Sequence, residues 1–165
     1  MTEEHLAAVC GLYCGACSLY RASHDHNLPR LEEILQNMSS RRKTSRDDLY
    51  CAGCLSQGQL TSHCLNCAIR LCPSGKPGVA RCADCPDFPC SRITDFNNDS
   101  VRHHAEVLDN IRRMQKIGVK EWLNEQEEKW RCSLCGVSVE WYAQHCFRCG
   151  TSQPRRLPSL PKDKA

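Results

Sequence analysis

The chain has 165 residues, a net charge of +3 and a hydrophobic share of 41% that includes 15 cysteines. Without the cysteines the conventional apolar content is roughly a third, against a usual ~45–50%, so burial alone gives a thin core and loop-closing metals or disulfides must contribute. The mild charge points to no polyanionic partner, and no apolar run approaches the ~18 residues of a membrane span.

The opening MTEEHLAAVCG has an acidic start and no apolar core of a secretory leader, which predicts a cytoplasmic protein. Thiols stay reduced in that compartment, and an odd cysteine count fits disulfide pairing poorly, so metal ligation is the expected use of the cysteines.

The first motif, CGLYCGAC, spaces Cys10, Cys14 and Cys17 as C-x3-C-x2-C. Radical enzymes that cleave S-adenosylmethionine hold an open [4Fe–4S] cluster on that spacing. They also need a large partial barrel, and no run of βα units is visible here. Ala16 stands where that superfamily usually has an aromatic residue. The motif is therefore read as a structural metal corner, completed by His24, His26 or a cysteine from a neighbouring pair.

Pro29 suits the start of a helix over about 29–38, with Leu31, Ile34, Leu35 and Met38 as its apolar stripe. The polar SSRRKTSRDD that follows reads as a loop, and its Arg41-Arg42-Lys43 cluster reads as a solvated one. Next, Cys51-x2-Cys54 and Cys64-x2-Cys67 lie nine residues apart and suggest a zinc knuckle pair; the alternative is that these cysteines interleave with others. Cys72, Cys82, Cys85 and Cys90 can close a further four-sulfur site. Proline after Cys72 and after Cys85 weakly suggests a ferredoxin, and leaves both zinc and iron–sulfur open there.

From Asp99 or Ser100 a cysteine-free helix is predicted, with Val101, Ala105, Leu108, Ile111 and Met114 on one face and Gly118 as its C-cap. His103 and His104 are expected on its surface. A second helix follows over about 120–129, carrying Trp122 and Leu123.

The clearest motif is C-terminal. Cys132-x2-Cys135 and Cys146-x2-Cys149 are ten residues apart, and Gly136 and Gly150 each follow a pair. A C-x2-C turn aims two thiolates at one ion, and the glycine permits the left-handed backbone that closes the turn. Two such knuckles predict a zinc ribbon whose four protein ligands leave no open position, hence a structural site. His63 and His145, each preceding a third cysteine, are expected to be outer-shell or exposed groups. The proline-rich end from residue 151 predicts a disordered tail that includes the basic pair Arg155-Arg156.

These motifs give a small metal-stabilised α+β protein: an irregular cysteine-rich domain over 1–95, a helical connector over 96–130, a zinc ribbon over 131–150 and a tail over 151–165. CGLYCGACSLY, CAGC, CLNCAIRLC, CADCPDFPC, IGVKEWLNEQEEKWRCSLCG and HCFRCG together make the chain resemble the uncharacterised cysteine-rich family known as domain of unknown function 3795. The resemblance runs from Cys10 to about Gly150 and implies a prokaryotic, cytosolic, metal-binding protein with no particular reaction. Its prominence in anaerobes implies that a [4Fe–4S] cluster in the N-terminal domain is an option.

No Ser/His/Asp set, paired carboxylates or phosphate-binding glycine loop stands out, which leans away from an enzyme. The function expected is a mainly zinc-loaded binding or adaptor module with a protein partner on a Trp122/Trp130/Trp141 surface. The alternatives are an iron–sulfur redox or cluster-handling protein, and a zinc-ribbon protein that binds nucleic acid.

Overall fold

Seven short helices separated by turns make up the computed structural model, which describes residues 3–39 and 45–160. They are α1 (Ser18–His24), α2 (Leu28–Ser39), α3 (Ser62–Leu65), α4 (Ala68–Leu71), α5 (Ser91–Asn97), α6 (Val107–Ile117) and α7 (Val119–Lys129). The expected α+β class is corrected on one point. Among the described residues the only β pairings are isolated bridges, Ala7 with Tyr13, Arg131 with Ser138 and His145 with Ser152. The cause is local: a C-x2-C turn reverses the chain every few residues, before a ladder of paired amides can lengthen.

The helices with visible periodicity fall near their predicted places. In α2, Asn27 Oδ1 accepts the Arg30 N–H at 3.2 Å, so Asn27 caps the helix and Pro29 lies in its first turn. The region after Asp99 differs from expectation. Asp99 Oδ1 does accept the Val101 N–H at 2.8 Å, but residues 102–106 form a 3₁₀ turn, and α6 begins only at Val107. Asn97 Oδ1 accepts the Leu108 N–H at 3.0 Å and so fixes that later start. Gly118, at φ 83°, ends α6 by donating to Met114 O and opens α7.

His103 and His104 are partly buried instead of lying on a helix surface. The His103 ring stacks on Trp141 at 4.0 Å, its Nδ1 lies 2.7 Å from Tyr142 Oη, and His104 Nδ1 lies 2.8 Å from Asp99 Oδ2. Burial holds the His103 ring neutral, down to about 3.

Two apolar cores cross the expected domain boundaries. The first joins Leu6, Tyr13 and Tyr20 to Met114, Trp122 and Trp130, and continues to Val139, Cys146 and Leu157. The second joins Val9, Cys10 and Cys54 to Ile69, Ile93, Val107 and Ile111. Thus α6 and α7 are the floor on which both cysteine-rich ends sit. Residues 151–160 are not the loose tail expected: Gln153 and Leu157 are buried, and the latter belongs to the first core. Residues 161–165 of that tail, and the Arg41-Arg42-Lys43 cluster, lie outside the described residues. No described helix is long and apolar enough to cross a membrane.

Gly11 shows how closely the first cysteine loop lies on α6. Its φ is 85°, and a Cβ there would sit 2.7 Å from Ile111 Cγ1 and 3.2 Å from Val107 O. Gly11→Ala combines a left-handed penalty of ~1–2 kcal/mol with overpacking of ~1–3 kcal/mol. Thermal unfolding of the metal-loaded variant is expected to show a loss of about 2–5 kcal/mol; an unchanged melting temperature would mean that the loop does not rest on α6 as described.

Candidate metal centre

Residues 131–153 are held as two facing knuckles. Cys132 N–H donates to Val137 O and Gly136 N–H to Cys132 O; Cys146 N–H donates to Thr151 O and Gly150 N–H to Cys146 O. The two turns therefore have the same bonding, and Gly136 and Gly150 sit at φ 74° and 73° as their spacing predicts. The Sγ atoms of Cys132, Cys135, Cys146 and Cys149 lie within 4.8 Å of one another. Cys132 Sγ is 3.7 Å from Cys149 Sγ, and Cys135 Sγ is 3.6 Å from Cys146 Sγ. A tetrahedron of sulfurs ~2.3 Å from a zinc ion has edges of about 3.8 Å, so these four residues can hold such an ion with little movement.

The surroundings favour the charged form of the ligands. N–H groups of Cys135 and Leu134 point at Cys132 and pull its thiol down to about 6. Contacts with the Thr151 hydroxyl and amide lower Cys149. Gln153, two residues beyond Thr151, donates from Nε2 to Cys132 Sγ at 3.4 Å. Its Oε1 accepts from Arg156, whose same nitrogen also donates to Arg131 O. A hydrogen-bonded layer behind the ligand was not legible in a proline-rich tail, because Gln carries no spacing signature of its own. His145 is exposed, as is His63.

The other eleven cysteines are also free thiols. Cys10, Cys51 and Cys54 are buried, Cys14, Cys17, Cys64, Cys67, Cys72, Cys82 and Cys85 partly buried, and Cys90 exposed. Among the described residues no other three ligand atoms converge as closely as the ribbon's four. The Cys54 N–H donates to Cys14 Sγ at 3.4 Å, and Cys10, Cys54 and Cys67 all adjoin the second core. His24 is engaged elsewhere, with its ring stacked on Tyr20 at 3.9 Å and its Nε2 3.2 Å from Cys51 O. His26 is exposed at φ 52°. Burial raises Cys10 and Cys14 well above the ordinary thiol range, and Cys17 to about 11. Burial, and then the charges of the Cys90, Cys72 and Cys85 thiols, raise the Cys82 thiol, while Lys76 Nζ lies 3.6 Å from Cys85 Sγ.

Trp122 and Trp130 are fully buried and Trp141 partly, so the tryptophans build core rather than the expected docking surface. On the ribbon, Leu134 at 70% and Phe147 at 48% are exposed, one from the middle of each knuckle, while Leu28, Leu65 and Leu71 are exposed on the cysteine-rich region. A cleft of about 510 Å³, lined by Phe147, separates α1 and α2 from the ribbon. Its charges are matched internally, Arg30 pairing with Glu140 at 2.9 Å and Glu33 at 2.7 Å, and Arg21 with Asp25 at 3.7 Å.

A helical, cysteine-rich scaffold with one preformed four-sulfur cluster is the class that fold and site define. Residues 6–95 match the model of a family described as a protein of unknown function, DUF3795; this is more than half the chain, which therefore belongs to that family. The match ends at residue 95, before α6, α7 and the ribbon, whereas the sequence resemblance extends to about Gly150. No curated protein and no solved structure matches the chain.

Gln153→Met keeps the side-chain volume and removes the N–H donor to Cys132. Outer-layer bonds of this kind typically contribute ~10–100-fold in metal affinity. Chelator competition is expected to show zinc bound about ten-fold more weakly by this variant, and an unchanged affinity would mean that the bond is idle.

Proposed function

We propose that the chain is a zinc-loaded binding module, whose ribbon is a closed structural site and whose apolar knuckle tips receive a protein partner. The observation that carries this reading is the four-sulfur cluster, whose 3.6 and 3.7 Å edges match a tetrahedral shell. Four protein ligands complete zinc's preferred coordination and leave no position for substrate or activated water, so that ion has a structural role. Leu134 and Phe147 are exposed at the knuckle tips, Phe147 also lining the cleft, and metal-rigidified turns there lose little entropy on docking. A nucleic-acid role is less well supported, because the Arg156 guanidinium is spent on the ribbon's own Arg131 carbonyl and on Gln153.

Elemental analysis of the purified protein should find zinc, and Cys146→Ser should lose the equivalent of one ion together with the ribbon's dispersed amide resonances. Full zinc content with an unchanged ribbon spectrum in that variant would contradict the site. For the partner, the Leu134→Ser/Phe147→Ser double variant should keep its zinc and lose the proteins that copurify with the wild type. An unchanged set of copurifying proteins would contradict docking on the knuckle tips.

A further inference from the structure

The ion pairs in the cleft between α1, α2 and the ribbon leave part of its polar lining unused. Among the described residues, six buried side-chain nitrogen or oxygen atoms have no hydrogen-bond partner. Three of the six belong to residues that line this one cleft: Arg21 Nε, Arg30 Nε and Glu140 Oε2. Elsewhere on each side chain a partner is present. Arg30 reaches Glu33 and Glu140 through its two terminal nitrogens, Arg21 reaches Asp25 through one, and Glu140 meets Arg30 through Oε1 alone. A buried polar atom without a partner is costly to keep, so two donors and an acceptor gathered at one opening are groups set for a ligand.

The charge of the lining gives that ligand a sign. Two guanidiniums, Arg21 and Arg30, stand among three carboxylates, Asp25, Glu33 and Glu140, a balance of −1 on a chain whose net charge is +3. Arg30 is divided between two of those carboxylates. Asp25 has the Arg21 guanidinium at 3.7 Å, and burial still pushes its carboxyl up. The open demand at Asp25 and Glu140 is therefore for a cation. Phe147 and Tyr142, both half exposed, form an aromatic wall on the ribbon side, against which the apolar stem of a long basic side chain packs well. Arg21 Nε and Arg30 Nε call in addition for oxygen acceptors, which a simple amine does not carry and a peptide backbone does.

We propose that this cleft binds a peptide segment of the partner protein through a basic side chain, with the arginine or lysine cation seated between Asp25 and Glu140 and backbone carbonyls accepting from Arg21 and Arg30. This rests on the docking reading above and deepens it, since it names the chemistry of the partner. Phe147 connects the two, being exposed at a knuckle tip and also part of the cleft wall. A volume of about 510 Å³ exceeds one side chain and admits a short stretch of chain. The ribbon wall is held in place before binding: Trp141 N–H donates to Ala16 O at 2.9 Å and Gln153 N–H to Gln144 O at 2.8 Å. The segment thus meets preset groups, and little ordering of the protein opposes its docking.

The test is an amide-shift NMR titration of the zinc-loaded full chain with a blocked pentapeptide, acetyl-Ala-Leu-Arg-Leu-Ala-amide. Saturable shifts are expected within residues 21–33 and 138–147, the stretches that line the cleft. Citrulline in place of the central arginine keeps the shape and removes the charge, and should weaken binding about ten-fold, the loss of one charge-assisted contact. Asp25→Asn in the protein should weaken the arginine peptide by a similar factor, with amides outside the cleft unmoved as evidence of folding. Glutamate at the centre should abolish binding. No saturable shift, shifts centred outside those stretches, a citrulline or glutamate peptide that binds as well as the arginine one, or spermidine that matches it would each overturn the proposal. Copurification with Leu134→Ser/Phe147→Ser keeps the two readings apart. Proteins lost from that variant beside a failed titration sink only the basic-segment assignment; an unchanged set sinks the docking reading itself.

Discussion

Buried sulfur is the constraint on which the rest of this structure depends. Cys10, Cys51, Cys54, Cys132 and Cys146 are buried, and most of the other cysteines are partly so. Burial next to other thiols penalises a bare thiolate, as the raised Cys10 and Cys14 show, whereas the amides aimed at these sulfurs favour one. A metal cation would resolve the conflict by neutralising the clustered thiolates, whose remaining lone pairs the amides already serve. The helices answer to the same need. With apolar content so low, they are too short to stand alone and serve to bring cysteine turns from distant segments together.

The two ends of the chain are coupled through α6 and α7. Gly11 brings the first cysteine loop against Ile111 and Val107. Trp141 N–H donates to Ala16 O at 2.9 Å, His103 stacks on Trp141, and Glu140 reaches Arg30 of α2. The ribbon is thereby fixed to the cysteine-rich region, and the segment after it returns Gln153 and Leu157 to the ligand layer and the first core. A change at the ribbon's four cysteines therefore bears on contacts made by the other end of the chain.

Where the chemistry is set by local spacing, the sequence was readable. The ribbon's ligands follow from two C-x2-C-G turns, and α2, α6 and α7 from apolar stripes with recognisable ends. Helices of four to seven residues such as α1, α3, α4 and α5 span too few turns to show a period. The β component was overestimated because knuckles suggest hairpins, while here each hairpin is a single bridge. The tryptophans were read as a docking surface, and long-range contacts with Leu6, Tyr13 and Leu157 bury two of them instead.

The account's central claim is that bound metal, more than apolar burial, holds this fold. Amide hydrogen exchange on the reduced full chain, before and after chelation, tests that claim most directly. Metal removal is expected to strip protection from the knuckle amides Cys132 and Cys146 and from the Cys82 amide bonded to Val9, and to loosen α6 and α7, whose buried faces pack on those loops. Protection that stays unchanged in the metal-free, reduced chain would contradict it.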